Sequence, residues 1–273
     1  MVSVSHTVLV ESVPFAWLVD ALAVVRSLVE ESRAEAQRLV LPDGHVVPGV
    51  RLTSGRHLRP GAVYLVSDRD GGGEDEHRDE REDAKTTGTV ETFRIQVAEW
   101  DRRRAVRVAL AVASDDGNVE LDTTLQSLDR PRLVEVSGRA RFDGVPFGMS
   151  RVSGRARVRL DDWWAAAEAA RETRPAPATA RLDHPWARAE VRAVPRPHRQ
   201  GDGGRWEVCV TVSLRGRGLL RPFVAVVLGV AGRRIRRSVV RALDGLAESW
   251  NADVPRLVAM DRDGLRAALT ARS

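Results

Sequence analysis

The sequence predicts an α+β fold in which an antiparallel β-meander is covered by one long C-terminal helix. Three observations carry that expectation. In RWEVCVTVSL, residues 205–214, Trp206, Val208, Val210, Val212 and Leu214 alternate with Glu207, Cys209, Thr211 and Ser213, the period of two that a half-buried strand requires. Five runs between 89 and 160 alternate in the same way. They are separated by the turn signals Asp101-Arg102, Asp116-Gly117, Asp129-Arg130-Pro131 and Asp143-Gly144. After Gly229, residues Ile235, Val239, Leu243, Leu246 and Trp250 recur at steps of three and four, so they form one stripe of a helix. Arg233, Arg234, Arg236, Arg237, Arg241 and Glu248 cover its opposite side.

The elements follow in order. Residues 4–11 read as a strand, and Pro14 stands where proline is favoured, in the first turn of a helix expected to run to about Gln37. Its apolar set is Phe15, Leu18, Val19, Leu22, Val25 and Leu28. Two strands, 46–53 and 62–67, are joined by a turn around Arg59, Pro60 and Gly61. The segment 68–88 then carries nine acidic residues and almost nothing to bury, so it is expected to be a solvated, disordered insertion. Asp68, Asp70 and Gly73 match three positions of a calcium loop, but Gly72 and Asp79 stand where ligands of another kind are needed, so no calcium site is expected.

The meander directs Phe93, Ile95, Val97, Val106, Val108, Leu110, Val119, Leu121, Val134, Val136, Val152 and Val158 to one face. The hexapeptide VSGRAR occurs at 136–141 and again at 152–157, a spacing that fits two adjacent hairpin strands. Asp161 caps a helix over 161–172 whose Trp163, Trp164 and Ala167 make a small apolar patch. RPAPATA, 174–180, reads as a proline-rich connector, and 187–195 with 205–214 as a last hairpin leading into the helix at 219–250. Residues 1–250 are expected to form one domain. The tail 251–273 is either a short docked helix or loose.

Composition narrows the function. Of 43 basic residues only Lys85 is a lysine, and the net charge is +5. Arginine usage of this kind reflects coding composition before it reflects a partner, and composition without clustering argues against nucleic acid. Cys209 is the single cysteine, which excludes a disulfide framework within the chain. The N-terminal stretch has no basic leader and carries Glu11 and Asp20 among its apolar residues, so a cytoplasmic location is expected. His6, His45, His57, His77, His184 and His198 are scattered, with no metal-binding spacing and no nucleophile motif. Gly216-Arg217-Gly218 opens like a dinucleotide fingerprint, yet Arg221 occupies the third glycine position. No catalytic residue, metal or cofactor is expected.

Two groups of residues are candidates for binding. Trp206, Val208 and Val210 of the last strand, with Ile235, Val239, Leu243 and Leu246 of the helix, are placed to line a cavity for a hydrophobic small molecule or lipid. Arg139, Arg141, Arg155, Arg157 and Arg159 line up on two adjacent strands, either as a surface for an anionic membrane or nucleic acid, or as rungs of an ion-pair ladder. The turn at 127–132 pairs Glu120 with Arg139 and brings Asp122 near, which favours the ladder.

RWEVCVTVSLRGRG running straight into LLRPFVAVVLGVAGRRIRRSVVRALDGLAE resembles the end of the Bet v 1-like, START-related superfamily (SRPBCC, polyketide cyclase/dehydrase) over roughly residues 195–250. IQVAEWDRRRAVRV is similar to a hairpin of the same superfamily. The resemblance implies a helix-grip-like fold with a cavity between helix and curved sheet. The cavity would receive an apolar ligand to be bound or carried or, alternatively, the hydrophobic substrate of a cyclase or dehydratase. The chain departs from that pattern in its long N-terminal helix, in having more than seven candidate strands and in the helix at 161–172. GVPFGMSRVSGRARVRLDDWWAA is similar to actinobacterial phospholipid-binding proteins of the tubular lipid-binding kind, which also wrap a sheet around a helix.

Overall fold

The computed structural model describes residues 2–67, 92–114, 117–144, 150–169, 175–198, 204–217 and 221–271. Along the chain these form β1 (Val2–Glu11), α1 (Phe15–Glu31), β2 (Arg33–Glu35), β3 (Arg38–Val40), β4 (Val46–Ser54), β5 (Val63–Ser67), β6 (Thr92–Asp101) and β7 (Ala105–Ser114). Next come β8 (Gly117–Gln126), β9 (Leu133–Phe142), β10 (Arg151–Arg159), α2 (Leu160–Ala169), β11 (Ala178–Asp183), β12 (Ala187–Pro197), β13 (Arg205–Gly216), α3 (Arg221–Val258) and α4 (Arg262–Ala271). The fold is α+β. All strands join one open antiparallel sheet, ordered β1-β13-β12-β11-β10-β9-β8-β7-β6-β5-β4-β3-β2.

Alternation in each strand and the pairing register together make one face of this sheet apolar. Leu52, Tyr64, Ile95, Leu110, Leu121, Gly138, Gly154, Leu182, Ala189, Leu214 and Val2 are cross-strand neighbours in an unbroken row from β4 to β1. No charge interrupts the row. The five-strand meander expected between 89 and 160 is β6 to β10.

The sheet is curled, as a length argument shows. Thirteen strands laid flat would set the edge strands about 58 Å apart at about 4.8 Å per step. The chain passes from edge β1 to edge β2 through the 17 residues of α1, which rise only about 25 Å. Open sheets of this width relieve their twist by curling. α1 straps one end of the curl. Its Phe15 ring meets Trp164 of α2 edge-on at 5.2 Å, Arg26 ion-pairs with Asp129 in the β8–β9 turn, and Glu30 accepts from Trp100 Nε1 (3.2 Å) and Arg102 Nε (2.8 Å) at the β6–β7 turn. Its last turn reaches His57 in the β4–β5 loop, where the Val29 carbonyl lies 3.1 Å from Nε2.

Several boundaries differ from the sequence expectation. The N-terminal helix stops at Glu31, and Arg33–Val40 is the β2–β3 hairpin, whose turn residues Ala36 and Gln37 have φ of 44° and 70°. Within the helix Val24 and Leu28 are buried, while Val25 is exposed. Residues 178–180, read as the end of a connector, open β11, which pairs on both sides. The helix expected at 219–250 continues as α3 to Val258. The tail is docked: Leu265 of α4 packs with Val24 and Leu28 of α1, and Arg266 reaches Glu31 at 2.7 Å. The acidic segment 68–88 and its partial calcium pattern lie outside the described residues. Among the described residues no helix is long and apolar enough to cross a membrane.

Candidate functional site

The largest buried cluster lies where α1, α2 and α3 converge on the β1 side of the sheet, and it includes Val8, Val13, Ala167, Trp206, Val208, Val210, Ala247 and Val254. The packing there is incomplete. Between the helices and the sheet runs a groove of about 640 Å³, and every residue lining it is valine, leucine, alanine or tryptophan. Val8, Val10, Trp206 and Val208 form its floor, Trp17 and Leu18 of α1 and Trp163 and Trp164 of α2 one wall, and Leu243, Leu246, Trp250 and Leu257 of α3 the other. Trp163 and Trp164 stand edge-on to Trp206, with ring centroids 6.2 and 5.8 Å away.

Three of the groove's indole N–H groups are spent on backbone carbonyls. Trp164 donates to Val13 (2.8 Å), Trp250 to Glu11 (2.9 Å) and Trp17 to Met260 (3.4 Å). Indoles anchored this way keep their rings for apolar contact.

α3 is held to the edge strand β1 by a side chain acting as a strand surrogate. Asn251 Oδ1 accepts from the Glu11 N–H at 2.8 Å and its Nδ2 donates to the Leu9 carbonyl at 3.0 Å, which satisfies backbone groups on the open side of β1. About two turns toward the N-terminus, His6 Nε2 meets Asp244 Oδ1 at 2.7 Å. These contacts rotate α3 so that Ala247, Asn251 and Val254 face β1. The stripe read from the sequence is therefore displaced. Leu246 is 68% exposed and Trp250 42%, so both stand on the groove's rim instead of beneath the helix.

Of the seven cavity candidates, Trp206, Val208, Leu243 and Leu246 line the groove. Val210 is buried in the cluster below it, and Ile235 and Val239 are half-buried farther along α3 without lining it. Sequence reading missed Val8, Val10, Trp17 and Leu18 because their strand and helix were not connected to this wall. Ala247 and Val254 were missed because alanine and a proline-flanked valine are weak stripe markers.

Titratable groups lie elsewhere. Among the described residues no three His, Cys, Asp or Glu side chains gather in a metal-binding arrangement. His57 comes nearest to a catalytic constellation, with Ser32 Oγ 3.2 Å from Nε2 and the Tyr64 hydroxyl 2.8 Å from Nδ1. Ser32 is buried, however, and its hydroxyl donates to the Val29 carbonyl at 2.7 Å. Tyr64 accepts from the Leu58 N–H at 2.9 Å, and burial pushes its phenol pKa up, which keeps the proton that bonds His57. The network pins the end of α1 to the β4–β5 loop. His198 pairs with Glu207 at 2.7 Å and His45 with Asp43 at 3.3 Å, both apart from the groove. His77 lies outside the described residues.

The candidate arginines of β9 and β10 point away from the apolar face and most have partners. Arg139 meets Glu120 at 2.9 Å, as the register expected, Arg157 meets Glu135 at 3.1 Å, and Arg141 lies 3.7 Å from Asp143. Arg159 pairs with Asp162 and donates to the Pro175 and Ala176 carbonyls. Arg155 stands opposite Arg181, which turns to Asp183 at 2.7 Å. Arg188 and Arg217 also reach Asp183, at 2.8 and 3.0 Å. The hydrogen bond from Arg181, then that from Arg188, holds the Asp183 carboxyl below the ordinary carboxylate range. On the polar face Arg139–Glu120, Arg157–Glu135 and Arg188–Asp183 thus join neighbouring strands, while Arg141–Asp143, Arg159–Asp162 and Arg181–Asp183 are local in sequence. No family model matches the chain, and no curated protein matches it.

Proposed function

We propose that the protein binds or carries a hydrophobic small molecule or lipid in the groove between α3, the α1–α2 wall and strands β1 and β13. One observation carries this reading: a groove of about 640 Å³, well within the size of ligand sites, lined without exception by apolar side chains. Apolar side chains left half-covered on a rim lose contact and hydration free energy that a ligand restores. Leu246, Trp250 and Leu257 are in that position. The groove also argues against the cyclase or dehydratase alternative, because no acid, base or nucleophile lines it.

Packing of α3 against β1 and β13 supports a helix-grip-like arrangement carried on a much wider sheet, and the curl supports the tubular lipid-binding comparison as well. A cytoplasmic setting belongs to the same reading, since the single Cys209 offers no disulfide partner within the chain. Native mass spectrometry of the purified protein tests the proposal. An apolar species of defined mass should accompany the chain, leave on organic extraction, and return when the extracted protein is incubated with long-chain fatty acid or phospholipid. A bare chain that acquires neither would contradict it.

A further inference from the structure

At the rim where β9, β11 and β13 end and β8 and β10 begin, the sheet carries a second cavity, of about 750 Å³. Arg139, Arg141, Arg151 and Arg217 line it, with Asn118 and Ser153 as neutral hydrogen-bonding side chains. Its carboxylates, among the described residues, are already engaged. Glu120 holds Arg139 at 2.9 Å, and Asp183 is shared by Arg217, Arg181 and Arg188 at 3.0, 2.7 and 2.8 Å. Arg141 has only Asp143, at 3.7 Å, and among the described residues Arg151 has no hydrogen-bond or ion-pair partner. Arg141 and Arg151 are also direct cross-strand partners, a like-charge pair with Cβ atoms about 5 Å apart that destabilises the sheet unless an anion lies between them. In all, six arginines that line the cavity or share Asp183 stand against Glu120, Asp143 and Asp183. Asp115 and Asp116 of the adjoining turn lie outside the described residues, and counting both still leaves arginine in excess.

We propose that this rim cavity binds a phosphomonoester, with the phosphoryl group between Arg141 and Arg151. A phosphomonoester carries nearly two negative charges at neutral pH, and the guanidinium fork matches its oxygens in pairs. A carboxylate or a phosphodiester has one charge and leaves one of the two facing guanidiniums unmatched. The volume is that of a small-molecule site, which selects a compact ligand over a polymer and leaves room beside the phosphoryl group for a polar body near Asn118 and Ser153. This site is separate from the apolar groove: Arg151 and the groove residue Val158 stand about 23 Å apart along β10. The inference therefore does not depend on the groove being filled.

Isothermal titration calorimetry with glycerol 3-phosphate in a phosphate-free, low-salt buffer tests it, with flotation on phosphatidylcholine vesicles containing phosphatidic acid as a second arm. Glycerol 3-phosphate should bind at one saturable site, and dimethyl phosphate and acetate at least about tenfold more weakly, because each meets only one guanidinium. Arg141→Gln with Arg151→Gln should weaken binding at least about tenfold, whereas Arg155→Gln with Arg157→Gln should bind like the parent. Without ligand the Arg141/Arg151 variant should melt no lower than the parent and take up an apolar probe equally well, which separates loss of this site from misfolding and from failure of the groove. Flotation that this variant loses would assign the phosphoryl group to a lipid headgroup, and titration by the soluble ester without flotation would assign it to a soluble molecule. Neither titration nor flotation by the parent would overturn the proposal. So would undiminished binding by the Arg141/Arg151 variant, equal affinity for acetate, or tighter binding to a DNA duplex than to the monoester.

Discussion

At the scale of single residues, Asn251 shows how one side chain settles the position of a helix. A primary amide presents a donor and an acceptor about as far apart as the backbone groups of an adjoining strand, so Asn251 completes β1 at Leu9 and Glu11 while fixing the rotation of α3. Replacing it by alanine leaves a partly buried N–H and carbonyl without their partners and should cost about 1–3 kcal/mol in urea unfolding. Asn251→Leu has nearly the same volume and should be no better. A leucine variant as stable as the parent would show that packing, not the amide, holds the helix. Nothing in the sequence marked this residue, because its role depends on which strand becomes the sheet edge, and that is fixed by pairing between residues about 200 positions apart.

Among the elements, the repeated VSGRAR hexapeptide has a geometric reason. Its two copies run antiparallel in β9 and β10, which brings Gly138 directly opposite Gly154. The space that each glycine leaves is taken by a leucine of the next strand. A Cβ on Gly138 would lie 2.4 Å from Leu121 Cδ2 and 2.8 Å from the Glu120 carbonyl oxygen, whereas one on Gly154 would meet only Leu182 Cδ2 within 3 Å, at 2.9 Å. Leu182 is half exposed and free to turn aside; the Glu120 carbonyl belongs to the sheet and is not. Gly138→Ala should therefore destabilise by about 1–3 kcal/mol, and Gly154→Ala by much less, as thermal unfolding of the two variants will show. Equal losses would remove the explanation.

The meander was legible because alternation and turn residues agree there. The β2–β3 hairpin was not, since Ala34, Glu35, Ala36 and Gln37 are good helix formers. What turns them into a hairpin is pairing with β4 and two left-handed residues. β11 was hidden by Pro175 and Pro177, which precede the strand and do not interrupt its ladder.

For the molecule as a whole, the sheet's curl and the α1 strap create the groove. Sequence periodicity identified the apolar face of each strand and helix, but the order in which thirteen strands pair, and hence which helices meet, is a long-range property that periodicity does not contain. Four of the seven predicted lining residues stand in the groove for this reason, and its α1–α2 wall was found only in three dimensions. That wall makes occupancy of the groove measurable. Five of the chain's seven tryptophans line the groove, so a dansyl-labelled long-chain fatty acid bound there must accept energy from them. Leu246 is the lining residue best suited to a control, because its exposure lets Leu246→Glu change the rim with a stability effect of only about 0.5 kcal/mol or less. Tryptophan emission of the parent should be quenched saturably with matching dansyl emission, and Leu246→Glu should lose affinity clearly at unchanged melting temperature. No energy transfer in the lipid-extracted parent, or identical titrations for the two proteins, would contradict it.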